Sequence, residues 1–209
     1  MAIDVAGLMT ALASRRPIFH SEADFQHALA WDLHTRLPEL GIRLELPIEV
    51  SGKVLHLDLW LSGPGHSVAI ELKYKTRGLS VKLDEERFSL KDQSAQDLGR
   101  YDFLKDVRRI EEIAQSRPGL EGWAILLTND SSYWKRSSDS STVDSAFRLH
   151  NGRSIAGTLE WGSNAAPGTI RSREDPITLA GTYQVLWHDY SAASSASYGA
   201  FRYLAFSSR

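Results

Sequence analysis

Residues 54–75, VLHLDLWLSGPGHSVAIELKYK, constrain the fold more than any other segment, because apolar and polar residues alternate on both sides of a turn. Successive side chains of a strand point to opposite faces, so this spacing predicts two half-buried strands. Between them, Ser62-Gly63-Pro64-Gly65 supplies turn residues. The segment therefore predicts a β-hairpin. One side of its first arm carries four leucines, Leu55, Leu57, Leu59 and Leu61.

The opposite, solvent-facing side of the hairpin carries two acids and a lysine. Asp58 lies on the first arm, and Glu71 and Lys73, two residues apart, lie on the second. If the apolar sides of both arms face one core, these three side chains converge. Two acids that hold Mg²⁺ beside a lysine indicate metal-dependent phosphodiester hydrolysis. The alternative is a surface cluster of ion pairs, each worth well under ~1 kcal/mol.

The flanking sequence predicts the order helix, three strands, helix, strand. A first helix over 21–36 begins at Ser21, with an acid three residues later, and a strand over 43–50 precedes the hairpin. A longer helical pattern over 92–117 ends at Pro118-Gly119. Residues 122–128, GWAILLT, form a short apolar run typical of a buried strand.

Asp58, twelve intervening residues and Glu71-Leu72-Lys73 resemble the D…(D/E)-x-K signature of the PD-(D/E)XK nuclease superfamily, with Leu57 in place of the family's proline. The αβββαβ succession is the core of that superfamily, and the resemblance covers about residues 20–130. It implies an α/β restriction-endonuclease-like fold with a mixed central sheet, followed by a β-rich extension over about 140–209. The length of 209 residues fits one domain over 1–209.

The resemblance also implies an activity, the Mg²⁺-dependent hydrolysis of nucleic acid, with Mn²⁺ able to substitute. DNA is favoured over RNA because most of the family acts on DNA. Asp58 and Glu71 would ligate the metal, and the carbonyl of Leu72 corresponds to a usual third ligand. Lys73 would orient or help deprotonate the attacking water. Glu22 stands where many members place a helix acid that binds a second metal or its water.

Six further residues are candidates for contact with nucleic acid. Tyr101 shares a helix face with Asp97, where some family members carry Q-x-x-x-Y, and a core position for Tyr101 is equally open. A serine-rich loop over 131–145 carries an aromatic residue beside two cations, which either stack on a base and hold its phosphate or form an ordinary loop. The candidates are Lys75, Arg77, Tyr101, Trp134, Lys135 and Arg136.

The C-terminal part is β-rich. Asn151-Gly152 predicts a hairpin between 147–150 and 153–161, and strands are expected over 177–187 and 200–206. These strands either pair across a homodimer or cover the core of the same chain, and the sequence leaves both open.

Composition narrows the class of protein. The net charge is −2, so nucleic acid must be held by local rather than bulk charge. The absence of cysteine excludes thiolate metal sites and fits a reducing compartment, so a cytoplasmic location is expected. No run reaches the ~20 apolar residues of a membrane span. The rival interpretations are a binding or scaffold protein without turnover and a nuclease directed at RNA.

Overall fold

The computed structural model describes residues 3–50, 52–139 and 141–208. Its helices are α1 (Val5–Arg15), α2 (Glu22–Arg36) and α3 (Gln96–Ser116), with a short 3₁₀ turn at Ser145–Phe147. Its strands are β1 (Gly41–Val50), β2 (Lys53–Gly63), β3 (His66–Lys75), β4 (Leu79–Leu83), β5 (Glu86–Leu90), β6 (Leu120–Thr128), β7 (Ser154–Leu159), β8 (Ile177–Gln184), β9 (His188–Ala192) and β10 (Ala200–Ser208). None of the helices in the described residues is both long and apolar enough to span a membrane.

Six strands form one mixed sheet in the order β1-β2-β3-β6-β10-β9. β3 and β6 run parallel, and the other neighbours run antiparallel. Since a parallel pair needs a crossover connection, α3 lies between β3 and β6 in the chain. The predicted α/β class with a mixed central sheet is confirmed. Two smaller antiparallel pairs, β4-β5 and β7-β8, lie outside this sheet.

The two faces of the sheet are covered by different helices. One core joins α1 and α2 to sheet residues such as Ile70, Leu72 and Ile125. A second core joins α3 to Ala124 and Leu126, which alternate with the first set along β6. The side chains of β3 that alternate with Ile70 and Leu72 therefore face α3.

The start of α2 follows the predicted cap. The Ser21 hydroxyl accepts a hydrogen bond from the Asp24 amide at 3.1 Å, and Glu22 lies in the first turn. Phe25, Leu29 and Leu33 form the buried stripe of the helix. The cap fixes where the helix begins, and thus where the Glu22 side chain leaves it.

The predicted leucine row of β2 is wrong in one respect. Leu59 and Leu61 pack with α2, but Leu55 and Leu57 pack with residues of α3 on the other face. The change of face occurs at Asp58. In β1, the pairing with β2 skips Glu45, whose φ of +51° is unusual for a residue with a side chain. The irregular backbone at Glu45 therefore lies across from Asp58, between the pairs Leu44–Leu59 and Leu46–Leu57, where the side chains of β2 change face.

The C-terminal region differs from the predicted extension. β10 pairs with β6 and β9 pairs with β10, so these strands continue the central sheet within the same chain. The predicted hairpin across Asn151-Gly152 is also wrong, because β7 pairs with β8. The Asn151 amide donates to the Trp134 carbonyl at 3.0 Å, which ties the turn to a distant loop instead.

Candidate active site

The candidate residues gather where β2 and β3 separate. Pairing between these strands ends at Leu59 and Ile70, whereas β3 continues along β6 as far as Lys75. Beyond Ile70, the β2-facing edge of β3 has backbone N–H groups that need other acceptors, because a buried amide without a partner is costly. This divergence creates the site.

Two carboxylates accept hydrogen bonds from the free N–H groups on that edge. The Leu72 amide donates to Asp58 Oδ2 at 2.6 Å, and the Tyr74 amide donates to Glu22 Oε2 at 2.7 Å. Residues two apart on a strand are separated by about 6.7 Å, so the two carboxylates lie side by side along β3. The structure thus brings Glu22, at the start of α2, next to Asp58 on β2.

The environment of Asp58 disfavours its ionised form. Burial raises its pKa to about 6, and the nearby charges of Glu22 and Asp106 act in the same direction. The Leu72 amide and the Lys73 ammonium oppose the shift without cancelling it. Asp58 therefore exchanges its proton close to neutral pH, where a cation placed beside it favours the carboxylate.

Glu71 and Lys73 face α3 rather than solvent. Arg109 Nη1 donates to Glu71 Oε1 at 2.6 Å, and Lys73 Nζ lies 2.9 Å from Asp106 Oδ2. Arg109 Nη2 also lies 3.7 Å from Asp106 Oδ1. Glu71 is only 2% exposed, which corrects the solvent-facing position predicted from strand alternation. The reason is that α3 packs on the polar side of β3.

The pKa shifts in this group follow from its burial. Burial raises the pKa of Glu71, and repulsion from Asp106 adds to the shift against the attraction of Arg109. For Lys73, burial lowers the pKa, but Asp106, Glu22 and Asp58 together outweigh it and the net shift is upward. Lys73 therefore remains an ammonium ion at neutral pH, which suits a fixed positive charge better than a base.

A buried amide on α2 holds Asp58 from behind. Gln26 Nε2 donates to the Asp58 carbonyl at 2.8 Å and to Glu45 Oε1 at 2.7 Å, and Gln26 is 7% exposed. It follows Glu22 by four residues, so the two share a helix face. α2 thus supplies an acceptor to β3 and a donor to β2 across their divergence. Gln26 belongs to no motif, and its spacing from Glu22 is its only signal in the sequence.

Asp106 and Arg109 are the other site residues outside the predicted set. Both lie on α3, where they interrupt an apolar stripe that includes Val107 and Ile110. Charged residues on the buried side of a helix indicate partners across the packing interface. The sequence does not reveal that those partners are Glu71 and Lys73, because this requires the position of α3 over β3.

Two predicted nucleic-acid contacts lie near the end of β3. Lys75 is partly exposed, with its Cε close to Gly99 in α3. Arg77 pairs with Asp92 at 2.6 Å, and its guanidinium lies 5.0 Å from the ring centroid of Tyr198. Lys75 is the last residue of β3, the strand that carries Glu71 and Lys73, and Arg77 follows two residues later.

Tyr101 lies in the core. It is 3% exposed, and its hydroxyl donates to the Asp175 carbonyl at 2.9 Å. Its ring lies against Phe147 and Trp161, at centroid distances of 5.3 and 5.6 Å. Of the two roles that the sequence leaves open for Tyr101, the structure supports the core position.

Trp134 is also engaged within the chain. Its ring lies 5.8 Å from that of Trp187, and the Arg202 guanidinium stands 5.6 Å from its centroid. Lys135 and Arg136, which follow it, are exposed. The loop therefore presents cations to solvent, while the face of Trp134 under Arg202 is covered.

The oxygen donors along β3 suit a hard cation. Within residues 3–50, 52–139 and 141–208, no three Asp, Glu, His or Cys side chains are already arranged to hold a metal. Asp58 and Glu22 each use one oxygen for a β3 amide and carry a second. The Leu72 carbonyl lies 3.1 Å from Lys73 Nζ on the same edge. Carboxylate and carbonyl oxygens are the ligands that Mg²⁺ prefers, whereas Glu71 would first have to leave Arg109.

Comparison with known proteins adds no relative. No protein-family model, curated protein or solved structure matches the chain. Inference about its function therefore depends on the geometry and chemistry around β3.

Proposed function

We propose that the chain is a metal-dependent phosphodiesterase that hydrolyses nucleic acid, with DNA preferred to RNA, on a restriction-endonuclease-like core. One observation carries the proposal. Asp58 and Glu22 both accept hydrogen bonds from backbone amides of β3, on the edge where β2 no longer pairs with it. The Lys73 ammonium and the Leu72 carbonyl lie beside them. Acids and a lysine that converge where two strands part give the charge pattern that phosphodiester hydrolysis requires.

Mg²⁺, or Mn²⁺ in its place, would be held by Asp58 and Glu22, and by Glu71 once it exchanges Arg109 for the metal. When bound, the ion neutralises phosphoryl charge and makes water a better nucleophile. Asp58 must lose its proton to act as a ligand, and its pKa of about 6 allows this at neutral pH. Asp58 is therefore mostly ionised at pH 7 to 8, whereas burial raises the pKa of Glu71 and disfavours its carboxylate in the metal-free chain.

Lys73 would supply a fixed positive charge to the phosphoryl group and orient the attacking water. Asp106, at 2.9 Å, holds the ammonium in place and keeps it protonated. Gln26 would act through Asp58, because its amide fixes the backbone at the point where β2 changes face. Asp106 and Gln26 are thus positioning residues in this proposal.

The choice of DNA rests on the resemblance of Asp58 and Glu71-Leu72-Lys73 to the PD-(D/E)XK signature. A second candidate is a nucleic-acid-binding protein without turnover. One observation favours it, since Glu71 is buried and already paired with Arg109 at 2.6 Å. The two candidates differ in whether Mg²⁺ leads to cleavage.

The test is to incubate the protein with circular single-stranded DNA, linear duplex DNA or RNA, in Mg²⁺ or in EDTA. We expect Mg²⁺-dependent cleavage of DNA that falls by ~10²-fold or more in Asp58→Asn and Lys73→Ala. Cleavage of the circle identifies an endonuclease. Cleavage that persists in EDTA or in Asp58→Asn contradicts the proposal, and binding without cleavage of any substrate favours the second candidate.

A further inference from the structure

A second group of cations lies on the loops that follow β6. The segment 134–153 carries four Lys and Arg residues and a histidine against two acids, in a chain whose net charge is −2. We call these five residues the basic loop surface: Lys135, Arg136, Arg148, His150 and Arg153. All five are exposed or partly exposed.

Hydrogen bonds join the two loops of this surface. The Asn151 amide donates to the Trp134 carbonyl at 3.0 Å, which brings the start and the end of the segment together. Arg153 Nη1 donates to the carbonyls of Ser145 and Arg148 at 2.7 and 2.9 Å. With Arg153 Nη2 donating to the Ala146 carbonyl at 2.9 Å, this guanidinium is used to hold the loop, and the exposed side chains of Lys135 and Arg136 are the cations that face solvent.

The acids of the segment leave the surface positive. Asp144 is 3% exposed and pairs with both Arg100 and Arg148 at 3.0 Å, so two cations face one buried acid. Asp139 is exposed and accepts hydrogen bonds from Ser141. Burial lowers the pKa of His150, and Arg153, Arg136 and Arg148 repel its protonated form. The three arginines therefore all lie close enough to His150 to affect its charge.

The surface lies close to the end of β3. Arg202, whose guanidinium covers Trp134, pairs with Thr128 of β6, and Thr128 pairs with Lys75 of β3. Adjacent strands lie about 4.8 Å apart, so the backbone of Arg202 lies about 10 Å from that of Lys75, and the Trp134 ring centroid lies a further 5.6 Å from the Arg202 guanidinium. One bound nucleic acid can reach both places.

We propose that the basic loop surface binds the phosphate backbone of nucleic acid and makes no base-stacking contact. Of the aromatic rings in this segment, Phe147 is fully buried, and Trp134 already has Trp187 and Arg202 packed against it. Guanidinium and ammonium groups hold phosphates without reading the sequence. The identity of the polyanion rests on the proposed function, whereas the phosphate-binding surface rests on its own charges.

The test is the double substitution Lys135→Ala with Arg136→Ala, measured by fluorescence anisotropy in EDTA with labelled duplex DNA and with a single strand of the same length. We expect the affinity for duplex to fall about tenfold, and the slope of log affinity against log salt to become shallower by about 1 to 2, since each lost phosphate contact contributes ~0.9. The matched control is Arg43→Ala with Lys53→Ala. This pair removes the same charge from exposed positions on the β1-β2 hairpin, at the other end of the sheet.

Equal losses in the two double variants, or no loss in either, overturn the proposal. A strong preference of the wild type for single-stranded DNA also overturns it, because that preference indicates base stacking. EDTA removes the metal from the assay, so binding is tested separately from cleavage. If the wild type does not cleave DNA but the loop variant still binds DNA more weakly, the proposed nuclease activity is contradicted and the phosphate-binding surface is supported.

Discussion

The two sides of the candidate site are built by opposite means. On the α2 side, Asp58 and Glu22 are held by backbone amides of β3, and their negative charges repel one another. On the α3 side, Glu71 and Asp106 are matched by Arg109 and Lys73 in direct ion pairs. One side is an acid pair fixed by neutral donors, and the other is a balanced group of charges.

This difference assigns separate tasks to the two sides. A divalent cation gains most beside acids that have no cationic partner in contact, and its binding there relieves their repulsion. Within the α3 group, the charges already offset each other, so removing one leaves a buried partner with less compensation. We expect the α2 side to control metal binding and the α3 side to control stability and the position of Lys73.

Lys73→Ala should cause the largest loss of stability. It leaves Asp106, which is 4% exposed, without its ammonium partner, and breaking such a buried pair costs about 3–5 kcal/mol. Urea denaturation measures the change. Lys75→Ala, two residues further along β3 and partly exposed, is the matched control and should cost less than about 1 kcal/mol. Equal losses of stability in the two variants would contradict the account of the α3 side as a group of mutually compensating charges.

Asp58→Asn, in contrast to Lys73→Ala, should increase the stability of the folded chain at high pH. The folded pKa of Asp58 is about 6, above its unfolded value, so ionisation opposes folding and the wild type loses stability as pH rises from about 4 to 6. Asparagine does not ionise and can still accept the Leu72 amide. The variant should therefore gain about 1–3 kcal/mol relative to wild type at pH 8 but little at pH 4, as measured by denaturation at both pH values. A gain that does not depend on pH would contradict the assigned environment.

Gln26→Met tests how the α2 side is held. The variant keeps the side-chain length but loses the donors to the Asp58 carbonyl and Glu45, which should cost about 1–2 kcal/mol. It should also reduce the rise in melting temperature caused by Mg²⁺, because Asp58 is no longer fixed. His27→Met, at the next and exposed position, controls for helix effects. Loss of stability with an unchanged Mg²⁺ response would restrict Gln26 to the fold.

The smallest effect is the pH dependence of stabilisation by Mg²⁺. At pH 5 Asp58 is largely protonated in the folded chain, and a metal must displace that proton. At pH 8 Asp58 has already lost its proton in both the folded and the unfolded chain. The Mg²⁺-induced rise in melting temperature should therefore be larger at pH 8 by a few degrees, on the order of 1 kcal/mol. An equal rise at both pH values would remove Asp58 from the ligand set.

Local patterns in the sequence predict the parts of this fold that depend on neighbouring residues. The cap at Ser21 and the hairpin over 54–75 are of this kind. The period-2 pattern does not predict the change of face at Asp58, because it assumes a regular strand and Glu45 departs from one. The pairing of β10 with β6 depends on residues far apart in the chain, which no local pattern specifies.

The same limit applies to the site. Spacing predicts that Asp58, Glu71 and Lys73 lie together, and in the structure Asp58 accepts a hydrogen bond from the Leu72 amide, between the other two. Their different surroundings arise from packing, because α3 buries Glu71 whereas α2 reaches only the edge of β3. For that reason Glu71 is predicted as exposed but is covered by Arg109.

Calorimetric titration of Mg²⁺ into the wild type, Asp58→Asn, Glu22→Gln and Arg109→Gln at pH 8 tests the central claim most directly. The claim is that the acid pair on the edge of β3 forms the metal site. It predicts binding to the wild type that weakens at least tenfold in Asp58→Asn and in Glu22→Gln, while Arg109→Gln retains binding. Unchanged Mg²⁺ affinity in both acid variants, or loss of binding in Arg109→Gln alone, would contradict it.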